Sequence, residues 1–201
     1  METIRGKTSH TLDLNELGNR LAENYHRVIL DLGTGDGRYV RFLADKHPDW
    51  FIIGVDACRE NLHESSQIKL PNVLFVIANA QNLPPELSGL ASHVTINFPW
   101  GSLLESLLIS DIALMDGLSS IAKQNAQIDI HLNSGALAEV GRTLDAGTET
   151  IYENMNRHGW NLKDPYRVAR EALRKFPTTW AKRVAHGRDP RAMALSGVLS
   201  K

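Results

Sequence analysis

The stretch Val28-Ile29-Leu30-Asp31-Leu32-Gly33-Thr34-Gly35-Asp36-Gly37 constrains this chain more than any other. An apolar run leads directly into three glycines at alternate positions. Arg38-Tyr39-Val40-Arg41-Phe42-Leu43-Ala44 then continues with helical spacing, so a helix is predicted from 37 to 46, ending before Pro48. Strand, glycine turn and helix open a nucleotide-binding α/β unit. Glycine enters the φ > 0 region without steric penalty and lets a ligand approach the backbone closely. The helix start adds unpaired N–H groups beside it.

The strands that follow keep to that plan. Residues 51–56, FIIGVD, read as a second buried strand, and Asp56 stands 23 positions after Gly33. A carboxylate at that distance suits the hydroxyl pair of a ribose, although the same side chain could cap a helix predicted over 59–67. A third strand spans 72–78. The loop Asn79-Ala80-Gln81-Asn82-Leu83-Pro84-Pro85 behind it can hold an adenine ring, or simply turn the chain into a helix over 85–90. A fourth strand over 94–98 runs into Asn97-Phe98-Pro99-Trp100-Gly101. Helices over 102–108 and 111–124 and a fifth strand over 126–132 come next.

The flanks are less regular. Residues 1–12 suit a short hairpin, and Asp13 can cap a helix built on Leu14, Leu17, Leu21 and Ala22. Residues 133–147 carry three glycines and are expected to form a surface loop, with a helix over 148–157 ending at Gly159. A sixth strand over 160–167, a basic helix over 168–176, one or two helical turns over 178–183 and a last strand over 192–200 complete the reading.

A chain of 201 residues, 42% hydrophobic, can fill the core of a single domain and is not a disordered protein. It has no apolar run long enough to span a bilayer. Met1–Lys7 lack the apolar segment of a signal peptide. The single cysteine, Cys58, excludes an internal disulfide and cysteine-rich zinc sites. A cytoplasmic monomer without a metal is expected. Charge is unevenly spread: nine lysines and arginines stand against three acids in 160–191, so that segment carries +6 in a chain of net charge −1. It is either a docking surface for a polyanion or a solvated helix face.

The glycine spacing narrows the ligand. A dinucleotide fingerprint would place its third glycine at position 38, which is Arg38, and no Walker-type phosphate loop occurs. The pattern D-x-G-x-G-x-G from Asp31 resembles the first motif of class I S-adenosylmethionine (SAM) methyltransferases. That resemblance implies a Rossmann-like α/β fold. Its sheet has seven mostly parallel strands with an antiparallel last strand, and helices cover both faces. It also assigns SAM, and the product S-adenosylhomocysteine, to Asp31, Gly33, Thr34, Gly35, Asp36 and Gly37 for the methionine end. Asp56 takes the ribose, and Ala80, Gln81 and Phe98 complete the site.

Asn97-Phe98-Pro99-Trp100 is similar to the N-P-P-aromatic motif of methyltransferases that modify exocyclic amino groups. A planar base must be held by stacking while its nitrogen meets the methyl group in line. Trp100 suits that task, or could be a core residue under the next helix. The longer run Phe98-Pro99-Trp100-Gly101-Ser102-Leu103-Leu104, with Trp180-Ala181-Lys182-Arg183, resembles a narrower family over nearly the whole chain. That family is the 16S rRNA (adenine(1408)-N1)-methyltransferases of kanamycin–apramycin resistance. It implies a flipped adenine of the 30S decoding site held between Trp100 and Trp180. Lys182, Arg183 and Arg188, with Arg191 beyond them, would lie on rRNA phosphates.

Three places depart from the family pattern. Residues 65–71 form a short link with one lysine, Lys69, where resistance members carry a longer, lysine-rich one. Asp189-Pro190-Arg191 is less basic than usual, and Asn79-Ala80-Gln81 lacks the usual carboxylate. They leave open a methyltransferase of a small molecule or nucleoside, a weakly active relative with another RNA target, or an RNA-binding relative without catalysis.

Overall fold

The computed structural model describes residues 1–21 and 25–200. A hairpin of β1 (Glu2–Arg5) and β2 (Thr8–Thr11) leads into α1 (Leu14–Leu21), where Asp13 accepts the Glu16 N–H at 2.9 Å. Ala22, expected in that helix, lies outside the described residues. Then follow β3 (Arg27–Leu32), α2 (Arg38–Lys46), β4 (Trp50–Asp56), α3 (Arg59–Gln67) and β5 (Val73–Ile77). One 3₁₀ turn, Pro85–Leu87, precedes β6 (Ala91–Asn97), α4 (Gly101–Ile109), α5 (Ile112–Ile121) and β7 (Ala122–Asn133). The chain continues through α6 (Ser134–Glu139), α7 (Leu144–Arg157), β8 (Trp160–Leu162), β9 (Tyr166–Arg167), α8 (Arg170–Lys175), α9 (Thr179–His186) and β10 (Ala192–Leu199).

These strands form one sheet in the order β2-β1-β5-β4-β3-β6-β7-β10-β8, with β9 beside β10. The five central strands are parallel. β10 enters antiparallel between β7 and β8. The seven-stranded sheet with an antiparallel last strand is therefore present, extended by the hairpin at one edge and β9 at the other. The chain starts in the middle at β3, walks outward to β5, then crosses back to β6 on the other side of β3. That reversal leaves a crevice at the carboxyl ends of β3 and β6, where open α/β sheets bind ligands.

Alternation along β3 divides the burial. Val28, Leu30 and Leu32 join the large core shared with α4, α5 and α7, while Ile29 packs with Val40, Leu43 and Leu62 of α2 and α3. Helices thus cover both faces, which is why the central strands read as continuous apolar runs. A third, smaller cluster of Phe98, Leu173, Ala181, Val184, Ala185 and Ala192 seats α8 and α9. No helix among the described residues is long and apolar enough to cross a membrane.

Several sequence expectations are corrected. Residues 133–147 are not a loop. The Asn133 side chain accepts the Ala136 N–H at 2.8 Å and starts α6, and Thr143 accepts the Ala146 N–H at 3.2 Å and starts α7. The glycines there serve packing and termination: Gly141 has φ 71° just past α6, and a Cβ on Gly147 would lie 2.4 Å from a Leu137 methyl. The helix expected to reach residue 124 stops at Ile121, because Ala122 pairs with Ala91 across an irregular start to β7. The helix over 85–90 is a single 3₁₀ turn. The strand over 160–167 splits around Asp164-Pro165, since proline has no N–H for a ladder.

Gly197 lies where β10 is squeezed between two neighbours. A Cβ there would approach the Asn161 carbonyl oxygen to 2.4 Å and the Leu162 Cα to 2.7 Å, both backbone. Gly197→Ala is expected to destabilise the protein by about 2–3 kcal/mol. The urea midpoint should fall with the slope unchanged.

Candidate active site

The turn after β3 is shaped by its neighbours. Gly33, Gly35 and Gly37 have φ of 71°, 56° and 69°. The N–H groups of Gly33 and Thr34 both donate to the Val55 carbonyl, at 2.9 and 3.0 Å, which binds the turn to the end of β4. A Cβ on Gly33 would meet Leu103 at 2.7 Å, and one on Gly37 would meet Phe75 at 2.7 Å, whereas Gly35 faces open space. Gly33 and Gly37 are therefore required by packing as well as by φ. Gly35 leaves the backbone accessible at the cleft.

Asp31 is buried at the end of β3, and its Oδ1 accepts the Thr95 hydroxyl at 2.7 Å and the Asn97 amide at 2.9 Å, both from β6. Burial pushes its carboxyl up to about 6 against the pull of those hydrogen bonds. The Asn97 Oδ1 lies 3.0 Å from His131 Nδ1. Burial also lowers the His131 imidazole to about 4, so it stays neutral at pH 7 and Nδ1 carries the proton donated to Asn97. Asn97 is thus engaged at both its oxygen and its nitrogen. Asn97 also lines the cleft described next.

Asp56, at the end of β4, accepts the Gly35 N–H at 2.7 Å and the Cys58 N–H at 2.9 Å. Its oxygens steady the glycine turn and the approach to α3. It does not cap α3, whose N-cap position is Cys58.

Asp31, Gly33, Thr34, Gly35, Asp36 and Asp56 line one cleft of about 550 Å³ with Ala80, Phe98, Trp100, Trp180 and Arg183. Two expected residues stand apart from it. Gly37 is packed behind the turn. The Gln81 amide donates to Ser106 at 2.8 Å, toward α4 rather than the cleft. Phe98, at φ 55°, borders the cleft but is 2% exposed, its ring lying among Phe176, His131 and the α9 residues. Residues not singled out from the sequence also line it, namely Ala57, Asn61, Leu103, Thr178 and Thr179. A serine or threonine signal ahead of Trp180 was available for the last two: Thr178 accepts the Ala181 N–H at 2.9 Å as the N-cap of α9.

Trp100 and Trp180 close the mouth. Their rings stack at 4.9 Å between centroids and 21° between planes, and the Arg183 guanidinium lies 4.9 Å over the Trp180 ring. Lys182 and Arg183 on α9 and Arg188 just past its end are exposed. Arg191 is exposed too, but Asp189 holds it through contacts of 2.7 and 2.8 Å, so its charge is largely spent on its neighbour.

The residues present fit SAM. An open glycine backbone is flanked by two acids, Asp31 and Asp56, and the cleft wall continues along Ala78, Asn79 and Ala80. SAM bound there supplies a methyl group carried on a sulfonium.

The family model for 16S rRNA (adenine(1408)-N(1))-methyltransferase matches residues 2–199. The chain is 32% identical to the Escherichia coli enzyme of that description over 219 aligned residues, covering all of both chains. Among solved structures, the 16S rRNA methyltransferase KamB superposes with a TM-score of 0.89 at 29% identity, covering all of both chains. A variant of the 16S rRNA (adenine(1408)-N(1))-methyltransferase from Catenulisporales acidiphilia, solved with its cosubstrate SAM, superposes with a TM-score of 0.87 at 25% identity, covering 100% of this chain and 97% of that one. With a glycine turn and two acids fitted to SAM, and with matches spanning its whole length, the chain belongs to the SAM-dependent 16S rRNA (adenine(1408)-N1)-methyltransferases.

Proposed function

We propose that adenine 1408 enters this cleft between Trp100 and Trp180, within the assembled 30S subunit, and that the chain acts there as a monomer of one domain. The observation that carries the reading is the stacked indole pair at the mouth of the cleft. A base seated between two rings needs about 7 Å, twice the roughly 3.4 Å stacking rise of nucleic-acid bases. The ring centroids stand 4.9 Å apart, sideways offset included, so the rings part by at least about 2 Å to admit it. Stacking contributes about 1–3 kcal/mol per base and offsets the cost of turning adenine out of its helix.

The residues account for the chemistry without a general base. Neutral adenine N1 already carries a lone pair, so methylation releases no proton from that atom. Asp31 is held by Thr95 and Asn97, and His131 by Asn97, so neither is free to shuttle protons. The side chains act by positioning the base and excluding water. Asp31 takes the ammonium of the methionine end, Asp56 the ribose hydroxyls, and Gly33, Thr34, Gly35 and Asp36 present the turn. Lys182, Arg183 and Arg188, in the basic segment 160–191, lie on rRNA phosphates and set orientation rather than sequence choice. The product places a methyl group and a positive charge on the Watson–Crick edge of a decoding-site base. Both oppose a bound aminoglycoside cation, and we propose resistance as the outcome.

A second reading draws on the neutralised Arg191 and the short link with Lys69 alone. The same cleft would take a free nucleoside or small molecule, and binding to 30S would then lack a steep salt dependence.

Radiolabelled SAM incubated with purified 30S subunits should label 16S rRNA, and primer extension should stop at adenine 1408. Labelling without that stop would contradict the target. Trp100→Ala and Trp180→Ala should each lower methyl transfer at least a hundredfold while SAM affinity measured by calorimetry stays within threefold.

Asp31 yields a pH prediction. Its folded pKa is raised, so in the SAM-free protein its contribution to stability is fully present below about 4 and is lost as pH rises through about 6. Asp31→Asn should therefore melt higher than wild type at pH 8, by an amount equivalent to about 2–3 kcal/mol, and the difference should vanish near pH 4. The same substitution should weaken SAM binding at least tenfold, and wild-type SAM affinity should fall as pH drops through about 6.

A further inference from the structure

The Thr179 hydroxyl donates to the Asp36 carboxylate at 2.5 Å, joining residues 143 positions apart. Thr179 is the first residue of α9 and precedes Trp180. Asp36 lies in the glycine turn between Gly35 and Gly37, both at positive φ. It borders the cleft, and its backbone carbonyl accepts the Ser65 hydroxyl of α3. Its carboxylate also faces the Arg38 N–H and guanidinium, each at 3.3 Å. One end of the bond is therefore anchored in the cofactor turn.

The other end is on α9, the support of Trp180. Trp100 follows Pro99 and buried Phe98, whose N–H donates to the His131 carbonyl at 2.8 Å, so its backbone continues the sheet. The helix bearing Trp180 rests on the small third cluster and on Phe176, whose ring contacts Tyr39, Phe98 and His131 at 5.4, 5.6 and 4.8 Å. Parting the indoles by at least about 2 Å thus falls to α9, and Thr179 is where α9 is tied to the cofactor turn.

We propose that Thr179 is a positioning residue for methyl transfer. Its hydroxyl fixes the first turn of α9 to Asp36, so that filling of the glycine turn is transmitted to Trp180 and sets the ring that receives the base. This rests on the reading of Trp180 as a base-holding residue. The coupling is a difference in free energy between two arrangements of α9, biased from the cofactor side.

The test compares Thr179→Val, which keeps the shape and removes the hydroxyl, with Thr179→Ser, which restores it. Thr179→Ala serves as a second deletion in case valine perturbs the helix start. Methyl transfer to 30S subunits is measured at saturating SAM and 30S, SAM affinity by calorimetry, and tryptophan emission during SAM titration. The expected result is a kcat at least tenfold lower in the valine and alanine variants, with SAM affinity within threefold of wild type. The wild-type emission change on SAM binding should be lost in both, and the serine variant should recover most of the rate and the signal. Wild-type kcat in the deletion variants, or a loss of SAM affinity as large as the loss of rate, overturns the proposal. Trp180→Ala, measured in parallel, separates the two readings. If it transfers methyl normally, the base-holding role falls and the tether with it. If it is inactive while Thr179→Val is fully active, only the tether falls.

Discussion

The structure depends on the bond set that joins β3 to β6 at the point where the chain reverses direction. Asp31 ends β3, and Thr95 and Asn97 at the end of β6 both reach its carboxylate. Parallel neighbours at a reversal splay their connections to opposite sides, and the gap between them becomes a binding crevice. Without a crossing contact the strand ends would be joined there by backbone pairing alone. The carboxylate supplies the contact and also leaves an anionic group facing the crevice.

That arrangement sets stability against function. A buried carboxylate is expensive, and burial raises the Asp31 pKa despite the hydrogen bonds from Thr95 and Asn97. Asn97 and His131 extend the network without adding charge, since burial keeps His131 neutral. In the proposed reading a cationic ligand end completes it. The two indoles at the mouth cover one another's faces. In the same reading a base replaces that stacking.

Around this centre, much was legible in the residues. The five parallel strands, α2, α3 and the carboxyl-end crevice follow from apolar runs and the glycine turn. The acids Asp31 and Asp56 stand where their spacing put them. Residues 133–147 were misread because their glycines look like loop formers, whereas Gly147 is there to admit Leu137 and Gly141 to end α6. A polar loop shows donors without showing which way they turn, and the Gln81 amide turns to Ser106 on α4. Arg191, expected on a phosphate, pairs with Asp189 two residues away.

By itself, the sequence determined the fold class, the kind of ligand at the glycine turn and the two tryptophans as a pair. The fold class is written in local spacing, and the ligand and the tryptophan pair in the resemblance of motifs in this chain to those of the family. Only the tertiary structure decided that Asn97 donates to Asp31, that the indoles stack on each other, and that Thr179 is tied to Asp36. Each is a contact between residues dozens to more than a hundred positions apart. Hydrogen-bond direction and ring separation arise from how the sheet and α9 pack, which no local pattern encodes.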